Sequence, residues 1–264
     1  MSAFEELSDR MKYYENVPKN YLMRRVPVVI RCDIRSGGSF VKGFKKPFDD
    51  VFGKTMIRTM EHVAKEIQGC IFAYTESDEM SFVLSDYKKL NSAAWFDYNV
   101  EKVASLAASE ATFAFNKYFA EEVDKYKNSI GYDEDGSLDK AEYDQYVVYL
   151  RAIDKGVRFD GRCANYPKEE VSNYIYWRQS DAMRNSVSMA ARAQFPHKQC
   201  EHKNQEQLKA MLMDECGINW DDYATHYKYG VCWTKADGIN FDMPIIKGED
   251  RKLVDDLVYY QEET

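Results

Sequence analysis

The chain has 264 residues, 45% hydrophobic and 14% aromatic, enough apolar material for one large core or two small ones. Its net charge of −8 argues against indiscriminate nucleic-acid binding, which draws affinity from Lys and Arg on phosphates, yet leaves room for local basic sites. No window approaches the roughly 20 apolar residues of a spanning helix, which removes the membrane as a partner. The six cysteines form no CxxC pair and no charged-then-apolar leader opens the chain, so reduced thiols and a cytoplasmic location are expected.

In chain order, Phe4, Leu7, Met11 and Tyr14 recur at helical spacing over residues 4–16. Val28-Val29-Ile30 then reads as a short buried strand ending near Asp33. A loop with Gly37, Gly38, Gly43 and Pro47 follows, and Asp49 is placed to cap a helix over about 50–68. Cys70 to Tyr74 and Met80 to Leu84 flank a polar turn, Thr75-Glu76-Ser77-Asp78-Glu79, and predict a hairpin. Strand, helix, strand, turn, strand is the opening of a ferredoxin-like or polymerase-palm α+β sheet.

Beyond it the composition predicts a long helix from Ser92 to about Lys127 and a Tyr-rich helix near 139–154. Val157 to Tyr166 reads as extended, Pro167 opens a helix to about Gln194, and a shorter helix spans roughly 203–214. Gly230 to Ile246 is a hairpin candidate turning at Asp237-Gly238. With no low-complexity linker, residues 1–264 read as one palm-like domain with helical additions after about residue 90 and this C-terminal hairpin.

Asp33 at a strand end and Asp78 in the neighbouring turn can project from one edge of such a sheet. Carboxylates so placed suit magnesium, and two ions roughly 4 Å apart serve phosphoryl transfer. The Ile34 carbonyl is a possible further ligand, Gly37 and Gly38 let backbone approach phosphates, and Arg31 and Lys46 offset phosphate charge. Spacing alone leaves the plain reading open as well, a strand-end Asp and an ordinary turn.

Three ordered blocks carry more than spacing does: Val29-Ile30-Arg31-Cys32-Asp33, Gly43-Phe44-Lys45-Lys46-Pro47-Phe48-Asp49 and Ser77-Asp78-Glu79. With Phe159-Asp160-Gly161-Arg162, Tyr166-Pro167 and Trp177-Arg178-Gln179, they resemble the tRNA-histidine guanylyltransferase family over most of residues 12–235. The resemblance implies a palm-type fold, a homotetramer, and a magnesium-dependent enzyme. Such an enzyme activates a tRNA 5′ end with ATP or GTP and adds nucleotides in the 3′–5′ direction.

It also implies roles. Asp33 and Asp78 hold two magnesium ions with the Ile34 carbonyl, and Glu79 stands beside them. Lys46, Ser77 and Arg162 meet nucleotide or phosphate; beside them the residues themselves suggest Arg31, Arg35, Gly37 and Gly38 as nucleotide-binding and Arg178 and Asn185 as RNA-binding. The family's His-Ile-Asn-Asn stretch falls on Met183-Arg184-Asn185-Ser186, a departure that points to the Thg1-like, tRNA-repairing branch. Ile34, Gly37 and Gly38 replace the family's Gly, Phe and His, and Glu76 replaces Gln, adding negative charge beside the acids. These changes motivate a second reading, a nucleotide- or RNA-binding palm protein with altered or lost transfer.

Other signals are weaker. Residues 131–142 imitate a calcium loop but place Gly131 where the first carboxylate belongs. His197, Cys200 and His202 lack a fourth zinc ligand. Trp95, Tyr98, Phe113, Phe115 and Phe119 sit at helical spacing and read as core.

Overall fold

The computed structural model describes residues 3–89, 91–132 and 139–259. The first elements are α1 (Ala3–Asn16), β1 (Val28–Ile34), a short α2 (Gly37–Phe40), α3 (Asp50–Glu66), β2 (Cys70–Glu76), β3 (Glu79–Leu84), α4 (Val100–Ser129) and α5 (Lys140–Lys155). There follow β4 (Phe159–Asn165), α6 (Lys168–Gln194), α7 (His197–Cys200), α8 (Gln205–Cys216), α9 (Thr225–Tyr229), β5 (Val231–Thr234), β6 (Gly238–Asn240) and α10 (Lys252–Val258). The middle of the calcium-like loop, residues 133–138, lies outside the described residues.

The strands form one antiparallel sheet in the order β4-β1-β3-β2-β5-β6. Its first four strands, with α3 and α4 as crossovers, have the ferredoxin-like arrangement expected from the sequence. Period-two alternation sorts every strand residue onto one of two faces. Val28, Ile30, Cys32 and Ile34 of β1 join Met80, Phe82 and Leu84 of β3 in a large core under α3 and α4. Val29, Phe72, Tyr74 and Val83 point the other way and pack on Val171, Tyr174 and Ile175 of α6 and on α10. The far half of α6 builds a third cluster with α8, around Trp220 and Leu212.

Local chemistry explains the ends of these elements. Asp49 caps α3 by accepting from the Phe52 N–H at 2.9 Å, and the same carboxylate accepts from Lys45 N–H and the Tyr149 hydroxyl. Gly161 is required by close approach, since a Cβ there would sit 2.3 Å from the Ala104 carbonyl of α4. The C-terminal hairpin forms with Thr234 opposite Gly238.

Two expectations need correction. The helix does not run unbroken from Ser92, because Phe96, Asp97 and Tyr98 all have positive φ and α4 begins only at Val100, capped by Asn99. Phe113 is 61% exposed rather than core, whereas Phe115 and Phe119 are buried as expected. Among the described residues no helix is long and apolar enough to cross a membrane.

Candidate active site

Alternation places Arg31 and Asp33 on the α6 side of the sheet, the side opposite Cys32 and Ile34. Strand register then lines up carboxyls across four strands. Asp33 lies opposite Asp160 on β4 and opposite Glu79 on β3, and Glu79 lies opposite Glu76 on β2. Asp78 joins them from the β2–β3 turn, whose tightness is set by Ser77 at φ 50 and fastened to β1 by Ile34 N–H donating to the Asp78 carbonyl at 3.0 Å. Like charges directly opposed in a sheet repel. Five carboxyls in one patch therefore demand cations.

The chain supplies three guanidinium groups. Arg178, from α6, is 8% exposed and grips Glu79 in bidentate fashion, Nε to Oε1 at 2.6 Å and Nη2 to Oε2 at 2.9 Å. It also pairs with Asp181 and lies 3.7 Å from Glu76. Arg31 reaches Glu79 at 3.6 Å, and its buried Nε has no hydrogen-bond partner. Arg162, opposite Arg31 in register, pairs with Asp160 at 2.7 Å on the exposed edge strand. Asp33 and Asp78 are left without an ion pair among the described residues.

The titration of the patch follows from this layout. Burial raises Asp33, and the charges of Asp78 and Asp160 raise it further, against Arg31 and Arg162. Burial also raises Asp78 and Glu79, the latter opposed chiefly by Arg178. Glu76 is pushed up to about 8 by burial and by Glu79. At neutral pH it is therefore mostly protonated and stands in for the glutamine of the family pattern. The expectation of added negative charge at Glu76 is thereby corrected.

The departures after β1 find their reasons here. Ile34 is the last residue of the strand, is not in the left-handed region, and buries its side chain in the core, so a β-branched residue fits. Gly37 packs against the turn so tightly that a Cβ would come within 1.9 Å of Asp78 Oδ2. A side chain at 37 is incompatible with Asp78 where it now stands.

A cavity of about 500 Å³ opens beside Asp78. Gly37, Gly38, Lys46 and Ser77 line it together with Asn185 and Arg192 of α6. Part of its lining is aromatic: Phe48 stacks on Tyr227 with centroids 4.5 Å apart and planes 6° from parallel. Its size is in the range of small-ligand sites.

Of the residues expected at the site, Asp33, Asp78, Glu79, Arg31 and Arg162 share the carboxylate patch, and Gly37, Gly38, Lys46, Ser77 and Asn185 share the cavity. Arg35 is exposed and is held by its backbone to Arg158. Arg178, expected on RNA, is instead buried among acids. Sequence reading missed Asp160 and the wall of Phe48, Tyr227 and Arg192. Asp160 was legible in principle, two residues from Arg162 and so on the same strand face.

Carboxylate oxygens on two unpaired acids, in a patch short of cations, are a fitting donor set for a hard divalent ion. Asp33 and Asp78 offer two carboxylates, and magnesium is an ion that takes one or two carboxylates and completes its shell with water and phosphate.

Comparison with known proteins bears on the same segments. The family model described as tRNAHis guanylyltransferase matches residues 8–167, the stretch that contains β1, the β2–β3 turn and β4. A bacterial tRNA(His) guanylyltransferase (Thg1)-like protein in complex with ATP superposes with a TM-score of 0.81 at 36% identity, covering 96% of this chain and 99% of that one. Its counterpart in complex with GTP gives 0.70 at 31% identity with the same coverage. The probable tRNA(His) guanylyltransferase of Homo sapiens is 27% identical over 231 residues, 80% of this chain, which spans 66% of the human protein's length. Fold, ordered acids and matched segments agree, and the chain belongs to the tRNAHis guanylyltransferase family of nucleotidyltransferases.

Proposed function

We propose that this chain is a magnesium-dependent nucleotidyltransferase that adds nucleotides in the 3′–5′ direction to RNA 5′ ends, and that its role is tRNA 5′-end repair. The observation that carries the reading is the unpaired pair Asp33 and Asp78 beside a cavity edged with Lys46 and Ser77. Asp33 and Asp78, with the Ile34 carbonyl, would hold two magnesium ions, which when bound supply charge neutralisation for phosphates and acidify an attacking hydroxyl.

The chain's own residues divide the rest of the work. Lys46, exposed at the cavity edge, meets triphosphate oxygens, and Ser77 and the backbone at Gly37 and Gly38 approach them closely. Arg31 and Arg162 balance the negative charge that substrate brings to the acid patch, with Arg35 at its margin. Glu79 stays an acceptor for Arg178 and an ion-pair partner for Arg31, and so keeps the strand ends in place. Asn185 and Arg192 face the incoming RNA end. Arg178 acts through Glu79 rather than on RNA. ATP or GTP is the activating substrate, in line with the nucleotides named in the two bacterial complexes. The protein works as one palm-like domain in a cytoplasmic homotetramer.

The test is transfer of label from α-labelled ATP to a 5′-monophosphorylated tRNA in magnesium. Asp78→Ala is expected to lose this adenylylation by at least roughly 100-fold, since positioning and charge stabilisation are nearly all an enzyme adds to phosphoryl transfer, while keeping its fold by circular dichroism. Retained labelling in the folded variant would refute the assigned role, and labelling in neither protein with ATP still bound would favour the nucleotide-binding reading.

A further inference from the structure

Trp177, in the first half of α6, is 50% exposed, whereas Trp220 and Trp233 are buried and Trp95 is half-buried. Its indole is nevertheless held. The Tyr174 ring meets it edge-on with centroids 5.9 Å apart, and the Arg178 guanidinium lies 4.7 Å from its centroid. Both supports are themselves fixed, Tyr174 by its hydroxyl contact with Ser81 at 2.8 Å and Arg178 by Glu79. Trp177 is thus a preset aromatic surface, on which a ligand binds with little ordering left to do.

The turn of the helix says where that surface points. Gln179 faces the tail, holding the Pro244 carbonyl and the Ile246 N–H, and Trp177, two residues earlier, lies on the opposite flank. That flank overlooks β4, because Tyr174 on the same side meets the Tyr166 ring just beyond β4 with centroids 5.0 Å apart.

Asp160, Arg162 and Ala164 alternate onto the α6 face of the sheet, opposite Asp33, Arg31 and Val29, yet all three are exposed. Helix α6 therefore stops short of the edge strand and leaves an open shelf, floored by Asp160 and Arg162 and walled by Trp177. All three lie outside the cavity lining. A ligand that fits the shelf has a flat ring for the indole and a phosphate for the Arg162 side and for the ion that Asp33 would hold, and a nucleotide has both. We infer that Trp177 is a stacking platform for a nucleobase whose phosphate lies at the acid row. The base is that of the RNA 5′ end or of the incoming nucleoside triphosphate. The inference rests on the nucleotidyltransferase reading and adds the residue that positions a base at its reacting centre.

The experiment titrates two pairs of probes into the full chain and its variants Trp177→Phe and Trp177→Ala, with magnesium and no ATP. One pair is a 5′-monophosphorylated tRNA and the same RNA made abasic at its 5′ residue; the other is GTP and ribose 5-triphosphate. The base-bearing member of at least one pair is expected to quench Trp177 emission, taken as the difference between the parent and Trp177→Phe, and its baseless counterpart is not. By calorimetry, Trp177→Ala is expected to weaken one binding step of that same probe by roughly 10–100-fold, the range of one stacked base. The baseless probe is expected to bind unchanged, and Trp177→Phe to recover most of the loss. Quenching by tRNA puts the RNA's own terminal base on Trp177, and quenching by GTP puts the incoming nucleotide there. Absence of base-dependent quenching in both pairs overturns the inference, as does equal weakening of base-bearing and baseless probes, the mark of a merely structural prop. A changed sedimenting mass in Trp177→Ala also overturns it, by giving the shelf to a protein contact. Base-dependent binding in a parent that transfers no nucleotide would sink the transferase reading alone, so the two failures are told apart.

Discussion

Glu76 shows how a single residue's environment can reverse the meaning of a substitution. Written beside Asp78 it reads as extra negative charge, yet burial and Glu79 raise it to about 8, so the folded protein holds it protonated. The unfolded chain releases that proton near pH 4.5. Folding therefore takes up a proton between these limits, and stability from this site, full below about 4.5, is lost as pH rises through about 8. Glu76→Gln removes the titration while keeping the shape. In urea unfolding with EDTA present, the variant should match its parent near pH 4.5 and exceed it by roughly 1–3 kcal/mol at pH 8, the scale of a relieved buried polar group. Parallel stability curves for the two proteins would contradict the assignment. Gly37 carries the complementary lesson, because its missing Cβ is what allows the loop and the Asp78 carboxylate to share one space. Neither effect could be read from the residues alone, since both depend on neighbours brought in by folding.

At the scale of elements, α6 is the piece that makes the acid row tenable. Tyr174 meets Ser81 at 2.8 Å, Arg178 grips Glu79, and Gln179 ties down the tail through the Pro244 carbonyl and Ile246 N–H. Removing the guanidinium leaves buried Glu79 with only Arg31, 3.6 Å away, to offset its charge. Arg178→Ala should therefore lose roughly 3–5 kcal/mol in chemical denaturation, with Arg178→Lys recovering only part because an ammonium cannot pair in bidentate fashion. A loss below about 0.5 kcal/mol, the range of ordinary surface changes, would show that the pair does not anchor α6.

What the sequence disclosed at this scale was local. The strand of Val28-Val29-Ile30, the Asp49 cap and the Thr75–Glu79 turn are each written in consecutive residues, and each formed where expected. The break at Phe96–Tyr98 was not legible, because it uses positive φ without glycine or proline to mark it. The joining of Asp160, Asp33 and the Glu76–Glu79 hairpin into one row was not legible either, for Asp33 meets Glu79 and Asp160 across strands distant in sequence, and that register is a product of the whole sheet.

Across the whole molecule, the site lies where two bodies of structure meet. The palm-type sheet with α3 presents acids and Lys46, and the α6–α9 region presents Asn185, Arg192 and Tyr227, with the cavity between them. An overall charge of −8 is compatible with RNA chemistry on this arrangement because the needed cations are local. The most direct test of the account is to incubate the purified protein with magnesium, ATP, labelled nucleotides and a tRNA lacking its first 5′ nucleotide, and to resolve the products by length. The account predicts a product one nucleotide longer, grown at the 5′ end and absent with Asp78→Ala. No extension with ATP bound, or extension undiminished in the folded variant, would contradict it.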